Sequence, residues 1–143
     1  MTLDGQTIEL TLPSALGYER IAMGCSATYA KNVGFNQERI EDLKTAVAEA
    51  CINAMQHGNK DLPDARVTVI MDFKDGAISI DVIDKGDGIP VLPSDPDIDK
   101  VISGLQPTTG YGLFLIKNLV DQVEFNQMTK KGHVVRMVVK KTS

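Results

Sequence analysis

The chain has 143 residues, 43% of them hydrophobic and 24% charged, which is the size and balance of one globular domain around one core. Its formal charge is −4 and its Lys and Arg residues gather into no basic patch, so a nucleic-acid footprint is excluded. No apolar run approaches the ~18 residues needed to span a bilayer, and the opening MTLDGQTIELTLPS has neither the basic nor the apolar region of a signal peptide, so a soluble, cytoplasmic protein without membrane contact is expected.

Residues 7–12, TIELTL, alternate and are rich in β-formers, which predicts a strand. Pro13-Ser14 then opens a helix with Ser14 as its N-cap, running to about Lys31 and ending near Asn32 and Gly34. A second helix is expected from about Gln37 to His57, stopped by Gly58-Asn59. Cys25 and Cys51 fall among apolar residues of these helices, without metal-ligand spacing, and read as small buried hydrophobes. Residues 66–73 and 77–84 form a hairpin around Lys74-Asp75-Gly76.

Residues 85–110 form a connection of about 25 residues, long enough to suggest a functional lid. It carries Gly86, Gly88, Gly104 and Gly110 with Pro90, Pro93, Pro96 and Pro107, and a short helix is expected over Asp97–Ser103. A helix over 111–123 has an apolar stripe of Leu113, Ile116, Leu119, Val120 and Val123. Strands at about 123–128 and 133–140 follow, joined by Lys130-Lys131-Gly132. The fold class expected is an α+β two-layer sandwich: a mixed, mostly antiparallel sheet with helices on one face.

Three segments carry chemistry. On the second helix, Glu49, Asn53 and His57 lie within roughly 80° of arc. The apolar arc there spans about 200°, wider than the ~100° stripe of a surface helix, so the polar strip has the character of a cavity wall. An amide oxygen suits Mg²⁺ that keeps its waters and bridges phosphates. A carboxylate one turn away can accept a proton from an attacking hydroxyl, and His57 can donate to a phosphate.

In IDVIDKGDGIP, Asp84 ends a strand and is followed by Gly86 and Gly88; its carboxylate can accept from an exocyclic amine while the glycines let backbone approach a ligand. In TTGYGL, Gly110 and Gly112 stand at a helix N-terminus, where free N–H groups attract phosphate, although Thr108 or Thr109 could equally serve as a simple N-cap. Rival motifs fail: Asp95-x-Asp97-x-Asp99 begins like a calcium loop, but Lys100 and Gln106 occupy its sixth and twelfth positions. P-loop and Rossmann patterns are absent.

The order E-x(3)-N-x(3)-H, strand-D-x-G-x-G, a Gly/Pro-rich connection and G-x-G-L resembles the GHKL (Bergerat-fold) ATPases, whose N box and two glycine boxes it follows. Tyr18-Glu19-Arg20, VAEACINAMQHG and GLFLIKNLVDQVEF extend the likeness over nearly the whole chain, toward the anti-sigma-factor serine-protein kinases. The resemblance implies a single histidine kinase-like ATPase domain over 1–143, with an ATP lid at about 90–109. It implies Glu49 as catalytic base, Asn53 as the Mg²⁺ ligand and Asp84 on the adenine amino group. It places His57, Gly86, Gly88, Ile89, Lys100, Thr108, Thr109, Gly110, Tyr111, Gly112 and Leu113 around ATP or ADP, and Arg20 toward a partner surface.

The implied function is phosphorylation of a serine on a small antagonist protein, with sequestration of a sigma factor and a homodimeric assembly. Two departures from the family bear on this. Gly132-His133-Val134 stands where many members carry threonine hydroxyls after the glycine, and Lys100 is the lid's only cation, with no arginine. The alternatives are a nucleotide-gated binding switch without transfer, or the ATP-binding domain of a sensor histidine kinase.

Overall fold

The computed structural model describes residues 6–60, 64–86, 108–130 and 132–141. Strand β1 (Ile8–Pro13) is followed by helices α1 (Glu19–Asn32) and α2 (Gln37–Asn53), the second continued by a π turn over Ala54–Gly58. Strands β2 (Arg66–Lys74) and β3 (Ala77–Asp84), helix α3 (Thr108–Leu119), and strands β4 (Gln122–Thr129) and β5 (Gly132–Lys140) complete the described elements. The strand order is β1-β2-β3-β5-β4, and where a mixed sheet is expected every pairing among the described residues is antiparallel.

The local chemistry accounts for most boundaries. Asp75 (φ +54°) and Gly76 (φ +78°) form the two-residue turn between β2 and β3, and the paired positive φ values match the right-handed twist of a hairpin. Helix α1 ends in a Schellman arrangement: Phe35 N–H donates to Ala30 O at 2.9 Å and Gly34 N–H to Lys31 O at 3.1 Å. Gly34 takes φ +93°, which a side-chain-bearing residue resists. Helix α2 is capped by Asn36, whose Oδ1 accepts from Arg39 N at 2.9 Å.

Three boundaries differ from the sequence reading. Ser14 is not an N-cap; it is buried and its Oγ accepts from Asn59 Nδ2 at 3.2 Å, so a turn intervenes and α1 starts at Glu19. Helix α3 runs from Thr108 to Leu119 rather than over 111–123. Asp121 N–H already donates to Val138 O at 3.0 Å, and Val123 pairs with Met137 inside β4, so sheet pairing overrides the helical spacing of Val120 and Val123. The second helix stops being α-helical at Asn53. The expected lid and the short helix over 97–103 lie outside the described residues, apart from Thr108 and Thr109.

The sheet is two-faced. Inward positions Val67, Val69, Met71, Ile78, Ile80 and Met137 are fully buried, each contributing about 1.5–3 kcal/mol. The outer face is mixed: it carries Ile70, Ile83, Val134 and Val138 beside Thr68 and Ser79, and Arg136 grips its cross-strand partner Asp81 there at 2.7 and 2.9 Å. Helix α2 lies between α1 and α3, and Leu43, Ala46, Val47 and Cys51 are completely buried along it. That placement is the reason for its broad apolar arc. Burial, with the Glu19 charge adding, pushes the Cys51 thiol up to about 12, so it is an inert core residue at neutral pH.

Two polar struts tie the layers. Arg39 donates to Lys140 O at 3.1 Å, to Asp42 at 3.3 Å and to Asp121 at 2.5 Å, joining the start of α2 to β4 and β5. Asn59, 2% exposed, donates to Ser14 Oγ and to Arg66 O at 3.1 Å and accepts from Lys85 N at 2.8 Å. It thereby holds the end of the π turn against β1, β2 and the exit of β3. Asn59→Ala is expected to lower stability by about 2–4 kcal/mol, because it strands buried backbone groups. Arg136→Ala on the exposed outer face should cost about 0–1 kcal/mol; equal shifts of the two urea midpoints would contradict the strut.

Candidate nucleotide-binding site

The polar strip predicted on α2 is present, though not along its full length. Glu49 is half-buried, and loss of hydration raises its carboxyl above the ordinary 4.5. Asn53, one turn on, is also half-buried, and its Nδ2 is sealed from solvent with no hydrogen-bond partner among the described residues. A buried donor left unpaired costs about 1–3 kcal/mol, and such a group marks a place where a bound species completes the set.

His57 departs from the strip. The π turn bonds Asn59 N to Ala54 O at 2.8 Å, a wider i→i−5 closure. The 100°-per-residue spacing that aligns Glu49 with Asn53 does not continue through it, and the His57 side chain is exposed.

The π turn delivers Gly58 onto Asp84. A Cβ at Gly58 would fall on the Asp84 carboxyl, one at Gly86 on the Gly58 carbonyl, and one at Gly132 on the Asp84 carbonyl. These glycines are required by close packing around one buried residue, and Gly132 additionally takes φ +131°. Asp84 itself is 2% exposed. Its Oδ1 accepts from Gly86 N at 2.7 Å and its Oδ2 bonds His133 Nδ1 at 2.9 Å.

Sequence reasoning treated His133 only as the loss of a hydroxyl. The signal for its role was its parity: it stands at an even spacing from Val135, Met137 and Val139, all inward-facing, and it pairs directly with Asp84 across β3 and β5. Asn59 was read only as a helix stop.

The helix expected from residue 111 begins at Thr108, ahead of both glycines of the second box. Thr108, Thr109 and Gly110 occupy the first turn of α3, where N–H groups lack intrahelical partners, while Tyr111, Gly112 and Leu113 lie further along the helix. Gly88, Ile89 and Lys100 lie outside the described residues. Arg20 is exposed in the first turn of α1. No group of three or more His, Cys, Asp or Glu suited to a metal exists among the described residues. The orphaned Nδ2 of Asn53 is a donor suited to a phosphate or water oxygen, while its amide oxygen is the atom able to ligate Mg²⁺. Among the described residues no helix is long and apolar enough to cross a membrane.

Gly58→Ala is expected to lower stability and to displace the Asp84–His133 contact, visible as a shift of the His133 imidazole resonances. Gly24→Ala provides the control: its Cβ meets nothing within 4 Å, so it should stabilise α1 by about 0.5–1 kcal/mol. A Gly58→Ala protein with unchanged melting temperature and unshifted His133 signals would contradict the close packing.

Comparison with known proteins agrees with this geometry. Residues 12–139 match the family described as the histidine kinase-like ATPase domain. The serine-protein kinase RsbW of Oceanobacillus iheyensis is 32% identical over 129 residues, covering 83% of this chain and 78% of that protein. RsbW of Bacillus pumilus is 34% identical over 128 residues, covering 82% and 76%, and that of Bacillus subtilis 31% over 126 residues, covering 81% and 75%. A solved Mycobacterium tuberculosis structure of RsbU and RsbW domains superposes with a TM-score of 0.62 at 17% identity, over 94% of this chain and 32% of that longer one, and shares the fold. The chain therefore belongs to the histidine kinase-like (GHKL) ATPase family, among the relatives of the serine-protein kinase RsbW.

Proposed function

We propose that the protein is an ATP-dependent protein-serine kinase that phosphorylates a small antagonist protein and, as a homodimer, sequesters a sigma factor. The observation that carries this reading is the pair on α2: a half-buried carboxylate with a raised pKa one turn from a half-buried amide with an orphaned donor. Both belong to the segment that ends against the buried Asp84.

In the proposed reaction Asp84 accepts from the exocyclic amine of adenine, and the first-turn N–H groups of α3 meet the phosphates. Asn53, through its amide oxygen, would hold Mg²⁺, which would supply charge neutralisation on the transferred group. Glu49 takes the proton from the partner's serine hydroxyl as its oxygen forms a bond to the γ-phosphorus. The β–γ bridging P–O bond breaks and ADP leaves. The raised Glu49 pKa brings the base closer to working pH, which strengthens it as a proton acceptor. Arg20, exposed at the start of α1, is placed on the partner surface.

The second reading is a nucleotide-gated switch without transfer, favoured by Lys100 being the only cation of residues 90–109.

Labelled ATP incubated with serine-bearing antagonist domains tests the kinase reading. Transfer should be lost in Glu49→Gln, by about 10²–10⁴-fold, with nucleotide binding retained. Asn53→Ala should abolish Mg²⁺-dependent binding while leaving the melting temperature nearly unchanged. Transfer by the wild type should rise with pH through a value above 4.5, because the base acts only when ionised; below that value it is protonated and cannot accept. Full activity in Glu49→Gln would overturn the base assignment. Nucleotide-dependent partner binding without transfer would favour the switch.

A further inference from the structure

The inward row of β3 and β5 is apolar through Ile80, Val82, Val135 and Met137, and then turns polar at the single cross-strand pair of Asp84 and His133. Both side chains are 2% exposed. A valine at 133 would pack there without burying an imidazole, so packing alone does not explain the histidine. With Asp84 as the accepting carboxylate, His133 Nδ1–H is the donor of the 2.9 Å bond to Oδ2. Gly86 N–H fixes the other oxygen at 2.7 Å, and the Gly58 backbone closes one face of the group. The plane of the carboxylate is thus set from three directions, and each oxygen keeps a lone pair not used by these bonds.

We propose that His133 is a positioning residue for base recognition: its Nδ1–H orients Asp84 so that a remaining lone pair meets the exocyclic amine of a 6-aminopurine nucleotide. This rests on the reading of Asp84 as the acceptor for that amine. His133 does not touch the nucleotide; it acts through Asp84, by a direct bond from an imidazole at the place where the family's hydroxyl stands. Discrimination between 6-amino and 6-oxo purines then depends on the donor at position 133. A carboxylate free to rotate can turn its lone pair away from the amine, and only the amine needs that acceptor.

The test is titration of ADP and IDP, with Mg²⁺, into the full chain and its variants, with melting temperatures recorded alongside. Wild type should prefer ADP. His133→Leu should lose about tenfold in ADP affinity and less for IDP, so the ADP/IDP ratio falls. His133→Asn places its amide N–H where Nδ1 lies and should restore the ratio. His133→Gln reaches the Nε2 position instead and should not. Should His133→Leu fail to fold, the Asn and Gln variants still decide: equal ratios in the two overturn the proposal. A wild-type ratio in His133→Leu, with the ratio collapsed in Asp84→Asn, overturns the role of His133 and leaves the Asp84 site standing. A wild-type ratio in Asp84→Asn removes the acceptor reading itself, and the proposal with it.

Discussion

A carboxylate inside a protein is tolerable only where its oxygens are met by donors, and the buried Asp84 imposes that demand on everything near it. His133 from β5 and the Gly86 N–H answer it directly. The main chain of the π turn must then come close enough to seal the group, which only glycine at 58 permits. Gly86 must in turn lie flat against Gly58, and Gly132 against the backbone of Asp84. One buried charge-bearing group therefore dictates residue types in the α2 extension, the β3 exit and the β5 start, segments far apart in sequence.

Asn59 and Arg39 show how the layers are kept in the register that this arrangement needs. Asn59 uses both ends of its amide to bind Ser14, Arg66 and Lys85, so the end of the helical segment cannot slide relative to β1, β2 or β3. Arg39 does the same at the other end of α2, against Asp121 and Lys140. The helix bearing Glu49 and Asn53 is thus pinned at both ends, while its apolar flank is buried between α1 and α3. A proton acceptor and an amide held on such a rigid element are suited to positional chemistry. The hydration that Glu49 gives up is the cost of that placement, one that a neutral glutamine would not bear at neutral pH.

Where local chemistry decides, the sequence was legible. Asp75-Gly76, Gly34 and the wide apolar arc of α2 each contain the physical reason for what they form. It was less legible where a tertiary partner competes. Ser14 looks like a cap but is drawn to Asn59, and Val120 and Val123 fit a helix until β5 claims Val123. Glu49 and Asn53 stood out because they interrupt a wide apolar arc without Lys or Arg beside them, and Asp84 because glycines follow it at a strand exit. His133 was hidden because a histidine among valines carries no meaning until the register shows which residue lies opposite.

The π turn over Ala54–Gly58 has a consequence for how this segment tolerates change. A π turn is a helix that has absorbed one surplus residue. Removing a residue there would restore an ordinary helix, but it would withdraw everything beyond by about 1.5 Å and rotate it by about 100°. Gly58 would leave Asp84, and Asn59 would lose all of its partners at once. The stretch from Asn53 to Asn59 therefore accepts substitution at exposed positions such as His57 far more readily than any change in length, and acts as a fixed spacer between the helix and the sheet.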